Sequence, residues 1–145
     1  MIIRKANMLD ISAIIYLLFK MHEETTIKPP KINSVKLLEK INYLFHKGIV
    51  LVAEVDNKIV GSIAGQVTED WWSDEKYIAD AWFYVYKTNR KSLVAKKLII
   101  QFMKIAKEAK LKLKLGHIFS GDMDRKDKFF TRMGLQKVGS TFMEV

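Results

Sequence analysis

The stretch from Tyr77 to Lys110 holds the residues whose types and spacing suggest chemistry. An aromatic, β-favouring run (Tyr77, Ile78, Trp82, Phe83, Tyr84, Val85, Tyr86) breaks at Lys87, Thr88 and Asn89. It then passes through Arg90-Lys91-Ser92-Leu93-Val94-Ala95 into an amphipathic helical pattern. A strand that ends in a basic turn and feeds a helix is suited to holding an anion. The first N–H groups of a helix lack intrahelical partners, and the macrodipole adds roughly half a positive charge there. The alternative is a plain bend. Other chemistries find no support. With no cysteine there is no thiolate nucleophile, disulfide frame or cysteine metal site. His22, His46 and His117 have no spacing that assembles a metal site, so no metal is expected. No Gly-x-Ser-x-Gly or Ser-His-Asp arrangement suggests a hydrolase.

The elements that must position this stretch follow from the rest of the chain. Its 145 residues are the size of one domain, expected to span 1–145. A hydrophobic content of 49% and a charged content of 28% are those of a globular protein. No apolar run approaches the roughly 20 residues of a membrane span, and Ile11 to Phe19 is interrupted by Ser12 and Tyr16. The N-terminus lacks the design of a signal peptide, so a cytoplasmic location is expected. The net charge of +9 has two readings. One is an electropositive surface for an acidic ligand or nucleic acid. The other is lysines solvating helix faces, which their spread along the chain favours.

Ile2 to Lys5 reads as a strand, and Ile11, Ile14, Ile15, Leu18 and Met21 recur at helical spacing from about Leu9 to Glu23. Pro29-Pro30 lies in a loop, and Asn33 or Ser34 caps a second helix that Gly48 ends. Ile49 to Val55, a turn at Asp56-Asn57 and Lys58 to Val67 form a hairpin. A polar connection carries Trp71-Trp72, then strand Tyr77–Tyr86 leads to a helix from Lys91 to Lys110. Leu111 to Phe119 reads as a strand and Ser120-Gly121-Asp122 as a turn. Asp124 caps a short basic helix ended by Gly134, and Leu135 to Val145 supplies one or two final strands. The expected architecture is a single α/β (α+β) domain with a mixed, mostly antiparallel sheet flanked by about four helices.

This element order, the turn from Val85 through Arg90–Ala95, and the ending Phe129-Phe130-Thr131-Arg132-Met133-Gly134-Leu135-Gln136-Lys137-Val138-Gly139 resemble the GNAT family of N-acetyltransferases. The resemblance covers essentially the whole chain. In that family a strand ending in Val-x-Pro precedes an Arg/Gln-x-x-Gly-x-Gly/Ala loop. Main-chain N–H groups of the loop cradle the pyrophosphate of acetyl-CoA. The strand splays from its neighbour and pairs with the pantetheine arm. The resemblance therefore implies acetyl-CoA as the donor, with Phe83 and Val85 beside its arm. It sets Arg90, Lys91, Ser92, Leu93, Val94 and Ala95 around its pyrophosphate. Leu93 stands where the motif has its middle glycine and Lys87 where it has proline. Phe130 stands where the family commonly has a tyrosine that protonates the leaving thiolate, and Leu135 replaces a final aromatic.

Acetyl transfer to an amine then needs a polarised thioester, a neutral amine and a proton for the thiolate. Strand N–H groups near Val85 serve the first. Asp80 is the candidate base; on strict strand alternation it shares a face with Trp82 and Tyr84. Tyr84 is the candidate acid in place of Phe130, with Tyr86 as its nearest alternative. Glu23 and Glu24 border the loop that lines the acceptor pocket in this family. Both oppose the negative end of their helix dipole, a small cost that hints at a binding role. Trp71 and Trp72 either lid the acceptor site or pack on the sheet edge. The expected function is acetyl-CoA-dependent N-acetylation of a small-molecule or protein amine by direct transfer. The alternative is a catalytically weak CoA-binding or macromolecule-binding domain. Neither membrane nor nucleic acid is an expected partner, and the final strands leave a homodimer open.

Overall fold

The β2–β3 hairpin is the centre of the fold, and its turn explains itself. In the computed structural model, which describes residues 1–119 and 121–145, β2 (Ile49–Val55) and β3 (Lys58–Glu69) are joined by Asp56 and Asn57 at φ 50 and 62. Two left-handed residues match the twist of the flanking strands, and Asp and Asn tolerate that region best after glycine. β1 (Ile2–Lys5) pairs antiparallel with β2, and β4 (Lys76–Val85) pairs antiparallel with β3. β5 (Lys112–Lys114) lies parallel to β4 over Tyr77–Ala79. Among the described residues these strands form one sheet in the order β1-β2-β3-β4-β5.

Period-two alternation splits the core. Leu51, Ala53 and Ile63 face helix α3 (Val94–Glu108), where Leu98 and Phe102 are fully buried. Val50, Val52 and Ala64 face the opposite way, against Ile14 and Leu18 of α1 (Ile11–Glu23) and Ile41 and Leu44 of α2 (Ser34–Lys47). Asn33 caps α2 by accepting the Lys36 N–H at 3.0 Å. Trp82 is buried on this second face and donates its indole N–H to Ser62 Oγ at 3.0 Å, which in turn donates to the Leu51 carbonyl. α4 (Met123–Arg132) closes the chain's helices, and Gly134 after it takes φ +91, the left-handed stop that glycine makes without strain.

Several boundaries differ from the sequence expectation. α1 begins at Ile11, because Asn7 and Asp10 form a capping box over a preceding 3-10 turn, Met8–Asp10. α4 is capped by Asp122, whose carboxylate takes the Arg125 N–H at 3.0 Å, leaving Asp124 inside the first turn. Of the turn expected at 120–122, Ser120 lies outside the described residues. α3 begins at Val94 rather than Lys91, since a 3-10 turn at Lys87–Asn89 and an irregular stretch through Leu93 precede it. β5 is three residues long, because the Gly116 N–H goes to the side chain of Asp80 and not to the β4 backbone. The strands expected over 135–145 do not form. Leu135 and Gln136 share a cleft with Lys112 and Leu113 of β5, but that edge is three residues long, too short to template a ladder, and Val138 and Phe142 stay exposed. Trp71, 96% exposed, and Trp72 stand out from the β3–β4 connection, so neither packs on the sheet edge.

The most consequential difference is a bulge. Ala64 pairs with Trp82 and Gly65 with Asp80, leaving Ala81 as an extra residue on β4. Gly65 permits it: a Cβ there would lie 2.3 Å from the Ala79 carbonyl oxygen and 2.8 Å from Phe102 Cζ. The bulge overturns the simple alternation. Asp80, opposite Gly65, lies on the α3 face, while Trp82 is on the α1–α2 face.

Candidate active site

Past Ala79, β4 has β3 on one side and, among the described residues, no strand on the other. Its last residues, Ala81 to Val85, thus line an open edge that runs straight into the basic turn at 90–93 and the N-terminus of α3. Leu93 takes φ −83 and ψ 5, a right-handed conformation open to any residue, so leucine in place of glycine costs nothing in backbone strain. Its side chain is exposed, as are Lys91 and Ser92, whereas Val94 is buried and Ala95 packs against the α3-side core. The Ser92 hydroxyl bends back to the Asn89 carbonyl and accepts the Val94 N–H at 3.3 Å. Phe83 faces the rings of Phe129 and Phe130 of α4 at 6.1 and 6.3 Å.

Two polar clusters flank the open edge. On the α1–α2 side, the guanidinium of Arg90 donates through Nε to the Val85 carbonyl at 2.9 Å and through Nη2 to the Glu24 carboxylate. It also sits over the Tyr84 ring, 5.2 Å from its centroid. The Tyr84 hydroxyl donates to the other Glu24 oxygen at 2.8 Å. Burial first, and next that bond to Glu24, raise the phenol's pKa well above the usual tyrosine range. Lys126 of α4 faces the same group. Loss of hydration comes first and repulsion from Arg90 next in lowering its pKa, against an opposing pull from Glu24. Glu23 is not part of this cluster; it pairs with Lys20 at 3.2 Å on the exposed side of α1. Tyr86 is also outside it, its ring 6.3 Å from that of Tyr16.

On the α3 side, Asp80 accepts the Gly116 N–H at 3.0 Å. Burial raises its carboxyl pKa, against the opposing pull of that N–H and of His117. His117 Nε2 lies 2.7 Å from Asp127, which also takes the Lys137 ammonium at 2.9 Å. Lys137 first and His117 next hold the Asp127 carboxyl below its usual range. The His117 ring stacks on Phe130 with centroids 6.0 Å apart. The structure therefore brings Glu24, Tyr84, Val85 and Arg90 together and holds Asp80 in a separate group. Sequence reasoning missed His117, Asp127 and Lys126, and the ten-residue gap between His117 and Asp127 carries no periodic signal that could have found them. Two clefts of about 470 and 430 Å³ lie elsewhere, one beside the end of α3 and one beside β1.

The model of the acetyltransferase (GNAT) family matches residues 15–135 of this chain. Among curated protein sequences none matches it. Solved structures share its fold over nearly their whole length. An aminoglycoside 6'-N-acetyltransferase from Acinetobacter haemolyticus is 16% identical with a TM-score of 0.77, covering 100% of this chain and 97% of its own. A predicted acetyltransferase from Clostridium acetobutylicum, solved with acetyl-CoA, is 18% identical with a TM-score of 0.79, covering 99% and 94%. Glucosamine-6-phosphate N-acetyltransferase from Arabidopsis thaliana is 16% identical with a TM-score of 0.72, covering 99% and 97%.

Proposed function

Since the chain belongs to the GNAT family of acetyltransferases, we propose that it uses acetyl-CoA to acetylate a primary amine by direct transfer, as one unit over 1–145. The observation that carries this reading is the open edge of β4 leading into the basic turn at the N-terminus of α3. An open strand edge offers main-chain N–H and C=O groups to an amide-bearing arm, and a helix N-terminus offers N–H groups to phosphates. Phe83 and Val85 would flank the arm. Arg90, Lys91, Ser92, Leu93, Val94 and Ala95 would surround the phosphates. Bound acetyl-CoA supplies an activated acetyl thioester, and the protein's task is to place an amine against it.

Asp80 takes the amine's proton, directly or through water. Its raised pKa makes it a better proton acceptor than an ordinary carboxylate. With Phe130 unable to donate, Tyr84 is the nearest phenol to the end of β4 for the thiolate, though its raised pKa makes it a reluctant donor. Glu24 orients the acceptor's positive charge, and Glu23, turned toward Lys20, contributes only at longer range. The acceptor is a small-molecule or protein amine, and the chain acts in the cytoplasm alone or as a homodimer. Phe130 also favours a second reading, a CoA-binding domain with weak catalysis. Calorimetry with acetyl-CoA and CoA tests the donor, and thiol release against a panel of amines separates the two readings. Absence of CoA binding would overturn both.

A further inference from the structure

The guanidinium of Arg90 is held by a carboxylate, a backbone carbonyl and an aromatic face at once. These are the groups that recognise an organic cation. They come from distant parts of the chain, Glu24 at the end of α1 and Tyr84 and Val85 at the end of β4, and the Tyr84 hydroxyl fixes the carboxylate's orientation. The cation filling this box belongs to the very turn that faces the donor's phosphates. Its hold is not deep: the side chains of Arg90 and Glu24 are 37% and 31% exposed, and ion pairs that water reaches contribute little. Lys126 stands near Arg90 and between Glu24 and Asp122, so the group's own charges balance.

We propose that Glu24, the Tyr84 ring and the Val85 carbonyl form a site for the acceptor's positively charged group, and that Arg90 occupies it as an internal stand-in until a phosphate-bearing donor draws the guanidinium away. This rests on the acetyl-CoA reading above and adds an order to it. The donor frees the Val85 carbonyl for its own arm and uncovers Glu24 for the acceptor. The two ligands then bind with positive cooperativity, donor first. The acceptor is accordingly one that carries a positive charge when it docks.

Calorimetry with CoA on the full chain tests the exchange. Glu24→Gln keeps an acceptor for the Tyr84 hydroxyl but releases Arg90, and is expected to tighten CoA binding about three- to tenfold, a differential of the size that couples two sites. In an Arg90→Ala background the same substitution is expected to have no effect. If Glu24→Gln tightens CoA equally in both backgrounds, Glu24 acts only as a distant charge and the proposal fails. Butylammonium, followed by the NMR shifts of the Tyr84 ring, is the cation probe. Saturating CoA is expected to lower the concentration needed about tenfold, by the same linkage; an equal response with and without CoA overturns the ordering. If the wild-type chain binds no CoA at all, it is the donor reading that falls.

Discussion

The two polar clusters beside the open edge of β4 are built in opposite ways. Around Arg90 the central contact is an ion pair with Glu24 that water reaches, set beside the buried Tyr84, and the guanidinium's one main-chain partner is a carbonyl at the strand's last residue. Around Asp80 the carboxylate is fixed by a main-chain N–H, and burial sets its pKa. An assembly held by exposed ion pairs exchanges partners at little cost. A desolvated carboxylate held by backbone keeps one position and one poised protonation state. The first arrangement suits ligand capture and the second proton transfer.

Asp80→Asn gives the largest test of that division. Turnover is expected to fall by about 10² to 10⁴, the usual contribution of a positioned base, while CoA affinity measured by calorimetry stays unchanged. A loss of affinity instead would break the separation. The wild-type rate should also fall as pH drops, because Asp80 must be ionised to accept a proton. That limb should lie above the ordinary aspartate range near about 3.9 and vanish in the Asn variant. Stability runs the other way: with the folded pKa raised, this carboxyl's contribution is complete below its unfolded pKa and is lost as pH rises through the folded one.

Arg90→Ala probes the exchangeable side. It should weaken CoA about tenfold, the scale of a lost hydrogen bond to a charged group, and steady-state assays should show this in the apparent affinity for donor rather than in kcat. Phe130→Tyr comes next in size. It restores a phenol beside Phe83 and His117, and a rise in turnover of a few-fold is expected from an added proton donor; no rise would show that protonation of the thiolate is not limiting. His117→Gln is the finest probe. His117 favours the Asp80 carboxylate, so its loss should move the acid limb of the pH–rate profile to higher pH, by less than the other substitutions change their readouts.

What was legible in the chain was whatever neighbours in sequence decide. The Asp56-Asn57 turn, the Asn33 cap, the Gly134 stop and the opposite facing of Val50 and Leu51 all follow from local chemistry or period-two alternation. The basic turn was legible for the same reason. The orientation of Asp80 was not, since it depends on Gly65 lying against Ala79 and Phe102 from other elements. Nor was the short β5, whose parallel pairing ends when an Asp80 side chain takes a backbone N–H that the ladder would use. The Arg90–Glu24 pairing spans 66 residues and leaves no trace in any window of sequence.

The extra residue at Ala81 acts on β4 as a shift of reading frame acts on a message. Upstream, even-numbered positions such as Ile78 and Asp80 address α3; downstream, Phe83 and Val85 do, and the even-numbered Trp82 addresses the other helices. Deleting Ala81 alone would restore a single phase along the strand without removing any group that does chemistry. Asp80 and the pair Phe83 and Val85 would then all keep the α3 face, because the extra residue is what separates their phases. Such a variant should keep its far-ultraviolet circular dichroism and most of its turnover; a large loss would show that the bend of the bulge itself, beyond the facing of the side chains, aligns the parts.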